Sequence, residues 1–290
     1  MTGKRLPEWI VSLPSIVWLT IFFLAPTLIV FLIAFRPADP FGGFGPGWTL
    51  QTLRDLGNPN YPTILWRTAR LSAITTIVCV LLAVPAGYGM ARAAARYRNL
   101  LLMLMVIPFW TSFLIRVFAW KTLLHPGGVI ARFAEWARLI EPGSLLLYNE
   151  GAVLTVMIYT YLPFAVLPVY AAAEKFDFSL LDAARDLGAK PLRAFCAVFL
   201  PGIRQGLLTA LLMVFIPALG SYVIPDIMGG TASEMLGNKI AQRTFSDRNL
   251  PHAAALSVLL TLGVMLPMGA ALILNRRREE SALKATRGAR

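Results

Sequence analysis

The chain has 290 residues, of which 57% are hydrophobic and 14% charged, with a mean hydropathy of +0.65. A soluble domain runs near 45–50% apolar and about 25% charged, so this balance excludes an ordinary soluble domain and points to an integral membrane protein. The net charge of +12 does not point to nucleic acid, because the basic residues stand at the ends of apolar runs rather than on one polar face.

The first apolar run extends from Trp9 to Phe35 without a charge, after a short basic start. That is longer than the ~7–15-residue core of a cleavable signal and long enough to span, so it predicts a retained transmembrane helix. Lipid leaves backbone polar groups unsatisfied, so every spanning segment of this hydropathy must be helical. The chain predicts six spans, at about 12–35, 66–91, 99–120, 150–173, 203–225 and 251–274. Prolines recur inside them (Pro26, Pro85, Pro108, Pro163, Pro168, Pro217, Pro267). Each removes a backbone donor and favours a kink, which suits a gated pathway but is also common in membrane helices generally.

Lys and Arg divide unevenly between the two sides of such a topology. Sixteen fall on the side of the termini and only seven on the other. The positive-inside rule then predicts both termini in the cytoplasm of a multi-pass inner-membrane protein. Residues 1–11 form a cytoplasmic start, 12–275 the membrane domain, and 276–290 a basic cytoplasmic tail. Among the outer connections, 36–65 is rich in turn formers. The stretch "VIARFAEWARLI" in 121–149 has the apolar spacing of a short amphipathic helix at the lipid interface. The third, 226–250, holds Asp226, Gly229, Gly230 and Glu234.

The longest inner loop, 174–202, contains "LLDAARDLGAKPLRAF" (residues 180–195). Ser179 followed by Asp182 has capping-box spacing, and Leu180, Ala183, Ala184 and Leu187 make a compact apolar face. Gly188 suits the left-handed residue that ends a helix, and Pro191 the start of the next. Asp182, Arg185 and Asp186 put charge at the rim. Physics alone leaves two readings level: a docking element for a partner, or an amphipathic helix lying on lipid.

This stretch resembles the cytoplasmic motif of membrane subunits of ATP-binding-cassette importers, which reads E-A-A, three residues, G, about nine residues, I, one residue, L-P. Here Asp182-Ala183-Ala184 is followed by Gly188 at the matching spacing, and "AVFLPGI" closes it. Asp replaces Glu, and Phe199 stands one residue nearer to Leu200-Pro201 than the motif's isoleucine. "VIPFWTSFLIR" (106–116), "LPFAVLPVYAAAEKFDFSLLDAARDLGA" (162–189) and "IPALGSYVIPDIMGG" (216–230) look like the spermidine/putrescine branch. The resemblance implies an all-α type I importer permease fold, with a cytoplasmic coupling helix between spans four and five. It also implies an ABC ATPase dimer beneath, a second permease subunit forming a heterodimer, and a solute-binding protein outside. Asp182, Ala183, Ala184, Arg185, Asp186 and Gly188 would then carry ATPase coupling. Selectivity for a small organic cation is the favoured expectation, with amino-acid-like, opine or metal-ion solutes as alternatives.

Tyr159, Thr160, Tyr161, Ser221, Tyr222 and Asp226 are the candidate solute-pathway residues. Polar groups within spans are functional candidates, although hydrogen bonding between helices is the simpler reading of them. Arg116 is expected to snorkel or to pair with an acid rather than to meet a cationic solute. Nothing predicts a cofactor or a metal: His125 and His252 are isolated, and Cys79 and Cys196 lack ligand spacing. No phosphate loop or Gly-x-Ser-x-Gly elbow occurs, so ATP hydrolysis is expected in a partner. The rival class is an ion-driven secondary transporter, which would want span carboxylates in paired half-repeats.

Overall fold

The computed structural model describes residues 8–141 and 143–265. Among these the chain is helical, with one isolated bridge, Ala38 to Phe44, and no strand. The helices are α1 (Ser12–Ile33), α2 (Gln51–Asp55), α3 (Asn60–Arg92), α4 (Ala95–Val106), α5 (Phe113–Leu124), α6 (Val129–Trp136) and α7 (Glu150–Glu174). They continue as α8 (Ser179–Asp186), α9 (Pro191–Gly202), α10 (Arg204–Leu219), α11 (Val223–Met228), α12 (Leu236–Ala241) and α13 (Leu250–Met265).

Three of these, α1, α3 and α7, are long and apolar enough to cross a membrane. Two bent pairs would each add a crossing. Ala95–Trp110 turns 93° into Phe113–Trp136, and Pro191–Gly202 turns 71° into α10. The sixth expected span is helical through Met265. Its continuation to 274, the basic tail and residues 1–7 lie outside the described residues.

The bend in the third expected span, 99–120, has a local cause. Pro108 removes one donor from the ladder, and Thr111 Oγ1 donates to the Pro108 carbonyl oxygen at 2.8 Å. Thr111 and Ser112 then take extended backbone angles, and the helix restarts at Phe113 in a new direction. The fifth expected span, 203–225, stops earlier than hydropathy indicates. Its helix ends at Leu219, and the chain runs through Gly220, Ser221 and Tyr222 before restarting as α11. The second begins at Asn60 rather than at 66.

The chain divides into two compact units. In the one formed by the described residues up to Pro62 and from Lys239 on, α1 leaves most of its apolar side chains exposed, with Val30, Phe31 and Ile33 near its end partly buried. Ala34, Ala254 and Ala255 form a small core there with Val30, Ile33, Leu53, Leu56 and Val258. Arg243 Nη2 donates to the Tyr61 hydroxyl (3.1 Å), and His252 lies on the Tyr61 ring at 5.3 Å between centroids.

The other unit, Thr63–Asn238, is built around α7. Val153, Val156, Met157, Val166 and Val169 of α7 are fully buried, together with Leu71, Cys79 and Ala83 of α3 and Ala210, Val214 and Ala218 of α10. Small residues let the helices approach, as membrane packing favours. A Cβ on Gly87 would meet Val169 Cγ1 at 2.9 Å and the Tyr170 backbone at 3.1 Å. Short helix α6 forms where expected, with Ala131 buried and Val129, Phe133 and Trp136 exposed.

Candidate functional site

The 174–202 loop folds as a helix, a turn and a second helix. Asp177 starts it: its carboxylate accepts from the Ser179 N–H at 3.0 Å, and its carbonyl oxygen accepts from the Leu180 N–H at 3.3 Å. Asp177 is thus the capping residue, two positions before the Ser179 expected from spacing. The Ser179 hydroxyl and N–H both hold the Asp177 carboxyl below its ordinary pKa range. Asp182 does not close a capping box but pairs loosely with Arg185 (3.7 Å), both side chains being solvated.

Helix α8 ends in a Schellman turn. Gly188 has φ +86°, its N–H donates to the Arg185 carbonyl oxygen (2.8 Å), and the Ala189 N–H donates to that of Ala184 (3.0 Å). Pro191 opens α9. The apolar positions of α8 split between two directions. Leu181 is 3% exposed, and half-buried Ala184 packs on the core. Leu180 (50% exposed), Ala183 and Leu187 (90% exposed) face outward beside Asp182, Arg185 and Asp186. Sequence spacing had grouped Leu180, Ala183, Ala184 and Leu187 on one face. In the fold, most of that group is the free surface.

Beneath the loop lies an aromatic cluster that residue-by-residue reading passed over. Phe178 before α8 and Phe195 and Phe199 after it converge on Tyr88 of α3, with Phe176 packed behind Phe178 and Phe199. Tyr88 meets Phe178, Phe195 and Phe199 edge-on at 5.9, 5.2 and 5.0 Å. Phe176 meets Phe178 at 5.5 Å and Phe199 at 5.2 Å, and Phe199 is fully buried. Arg92, one turn beyond Tyr88, donates to its hydroxyl (2.8 Å) and places its guanidinium over Tyr88 and Phe178. Arg98 of α4 pairs with Glu174 at the end of α7 (3.0 Å), just before the loop. The i, i+4 spacing of Phe195 and Phe199 on one helical face was the available signal.

The candidate solute residues fall into two sets. Thr160, Tyr161 and Ser221 are buried, and the Tyr161 hydroxyl donates to the Pro217 carbonyl oxygen (3.2 Å). Tyr159, Tyr222 and Asp226 are exposed, with Tyr159 edge-on to Trp120 at 5.2 Å. Tyr222 and Asp226 are held by Asn238, whose amide donates to the Tyr222 carbonyl oxygen (2.9 Å) and reaches Asp226 Oδ1 (3.5 Å). Asn238 sits in a segment with no apolar period, so sequence gave it no prominence.

The segment 221–238, which runs into the outer connection expected from 226, forms two short helices with buried stretches between Ile224 and Asn238. The Leu236 N–H donates to buried Thr68 Oγ1 (2.8 Å), and Arg67 donates to the Glu234 carbonyl oxygen (3.3 Å). Arg67 and Arg70 also pair with Glu150 at the start of α7, Arg67 at 3.7 Å. Gly229 and Gly230 permit the fold: a Cβ on Gly230 would stand 2.7 Å from the Tyr148 carbonyl oxygen. Arg116 places its guanidinium over Phe109 (5.2 Å), and no acid pairs with it among the described residues. Among the described residues, no group of His, Cys, Asp and Glu could hold a metal.

Residues 80–280 match the family described as binding-protein-dependent transport system inner membrane component. The chain is 36% identical over 245 residues to the spermidine/putrescine transport system permease protein PotB of Haemophilus influenzae, covering 84% of this chain and 86% of that one. It is 34% identical over 251 residues to PotB of Escherichia coli K12, covering 86% and 91%. A crystal structure of a bacterial ABC transporter involved in import of the acidic polysaccharide alginate contains a chain that superposes with a TM-score of 0.74. The identity is 16%, and the match covers 93% of this chain and 95% of that one. At that identity the likeness shows the fold alone.

Proposed function

The chain belongs to the binding-protein-dependent transport system inner membrane component family, and on that premise we propose that it is one permease subunit of an ATP-driven importer for polyamines such as spermidine and putrescine. In this reading the 174–202 loop and both termini are cytoplasmic, and α8 seats on an ABC ATPase dimer that hydrolyses the ATP. A second, different permease subunit completes the pathway, and a solute-binding protein delivers solute from the opposite side.

The observation that carries the coupling role is the division of α8. Leu181 holds it to the unit, while Leu180, Ala183 and Leu187 stay open. A short helix with small and apolar groups outward, rimmed by Asp182, Arg185 and Asp186, suits a groove on a partner. Gly188 lets the chain leave that groove at once. Asp182 would meet a base at the groove's edge, and Ala183 and Ala184 would permit close approach.

Polyamine selectivity rests on the relatives' substrate and on the chemistry of Tyr159, Tyr222 and Asp226. Exposed aromatic faces and a carboxylate suit ammonium groups. The same fold serves an importer of an acidic polysaccharide, so charge preference follows the lining residues and not the architecture. Thr160, Tyr161 and Ser221 would stiffen that lining from behind.

The test is affinity purification of tagged chain from native membranes in mild detergent, with every copurifying chain identified. Recovery of a nucleotide-binding ATPase and a second permease is expected, and the associated binding protein should then respond to spermidine or putrescine on titration. Recovery of the chain alone, still active in transport, would replace this reading with an ion-driven transporter.

A further inference from the structure

We infer that the aromatic cluster under the loop is the joint through which displacement of α8 reaches α3, and that Arg92 is its positioning residue. The inference rests on the coupling role proposed above for α8, and it adds a route that the covalent chain does not provide.

Along the backbone, the loop is continuous only with α7 and, through α9, with α10. Helix α3 is far away in sequence, yet its Tyr88 ring is the meeting point for aromatic groups from both ends of the loop. Phe178 precedes α8, and Phe195 and Phe199 follow it; all three stand edge-on to Tyr88 at 5.0–5.9 Å. Phe176 closes the group against Phe199. Phe199 is fully buried and the other four rings are partly buried around it, each in ring contact with at least two others. Packed interiors of this kind transmit displacement rather than absorb it.

Gly202 shows how tight the fit is. A Cβ there would come within 2.7 Å of Phe176 Cδ2, at the point where α9 turns 71° into α10. The cluster therefore touches the loop's entry, its exit and α3 together.

Arg92 lies at the exposed edge of the cluster. Its hydrogen bond to the Tyr88 hydroxyl holds the far end of that ring in place, and its guanidinium spans Tyr88 and Phe178 at 5.6 and 5.8 Å. A cation across two ring faces ties the α3 ring to the loop ring. Arg92 touches neither the solute path nor α8, so its effect must pass through the rings.

The experiment compares Arg92→Gln, Arg92→Lys, Phe178→Leu and the Gln/Leu double variant in the complete importer reconstituted in vesicles. Gly188→Asp serves as the reference for the coupling reading. The quantity read is putrescine taken up per ATP hydrolysed. Arg92→Gln is expected to lower that ratio about fivefold, a typical coupling effect, and Arg92→Lys to restore much of it. The double variant should be no worse than Phe178→Leu alone, because the cation acts through that ring.

An unchanged ratio in Arg92→Gln and Phe178→Leu, with Gly188→Asp defective, overturns the joint and leaves the coupling role standing. A parallel fall in assembly and hydrolysis at constant ratio also overturns it, since the cluster would then only hold the fold together. A normal ratio in Gly188→Asp removes the coupling role and the joint with it.

Discussion

Gly206 of α10 lies directly against Pro168 of α7: a Cβ built on Gly206 would stand 2.7 Å from the Pro168 carbonyl oxygen and would overlap Ala172. Backbone cannot retreat as a flexible side chain can, so Gly206→Val should force α7 and α10 apart. The expected cost is about 1–3 kcal/mol, as for other overpacked sites, read as a lower midpoint of thermal unfolding in detergent. Gly89 in α3 has open space around its Cβ position, and Gly89→Ala should hold or raise that midpoint. Equal effects of the two changes would mean that close approach at Gly206 is not what limits the packing.

Thr68 receives the Leu236 N–H from a residue 168 positions away and is itself 1% exposed. Thr68→Val keeps shape but leaves that buried N–H without an acceptor, at about 1–3 kcal/mol. The segment 221–238 should then exchange its amide hydrogens roughly tenfold faster or more, while Thr68→Ser should keep the protection. Unaltered exchange at Leu236 in the valine variant would show that the neighbouring Arg67 contact suffices.

The cap at Asp177 predicts a pH dependence of defined sign. Its folded pKa lies below the ordinary value, near 3.9 for an unperturbed Asp. Its contribution is therefore complete above the unfolded value and is lost as pH falls through the folded one. Protection of the Ser179 amide, corrected for intrinsic exchange, should stay flat near neutrality and fall only in acid. Asp177→Asn, which still caps, should flatten that acid fall.

Gly188 offers a clean probe of docking. Its φ of +86° penalises any side chain by about 1 kcal/mol, but nothing lies within 4 Å of its Cβ position. Gly188→Asp should therefore fold and remain in the membrane while solute uptake per ATP drops. Normal uptake in that variant would remove α8 from the coupling mechanism.

Asp226 and Tyr222 share Asn238 as a clamp. If they face solute, Asp226→Asn and Tyr222→Leu should each weaken putrescine uptake by about tenfold, the effect of ~1.4 kcal/mol. Asn238→Ala should mimic both by releasing them. Two unchanged uptake curves for the direct substitutions would exclude a shared solute site.

Much of the fold follows from composition and one-dimensional pattern. Long uncharged runs must be helices in lipid, so α1, α3 and α7 are legible to within a few residues. The helix–Gly–Pro punctuation at 179–191 is legible too, because left-handed φ at Gly188 and a helix start at Pro191 are properties of those residues themselves. Where each helix bends is less so. Pro85, Pro163 and Pro168 lie inside continuous helices, whereas the 93° turn comes at Thr111–Ser112, three residues beyond Pro108. A missing donor permits a break but does not by itself make one.

The sequence by itself determined the class, the helical segments and the punctuated loop, since each depends on local propensity and on the solvent that a segment can tolerate. Tertiary structure alone decided which face of α8 stays free. It also decided that Tyr88 receives three phenylalanines from the loop's two ends, and that Asn238 and Thr68 hold the 221–238 segment. Those contacts join positions tens to more than a hundred residues apart. No period or spacing encodes such a pair; it exists only once packing has brought the two together.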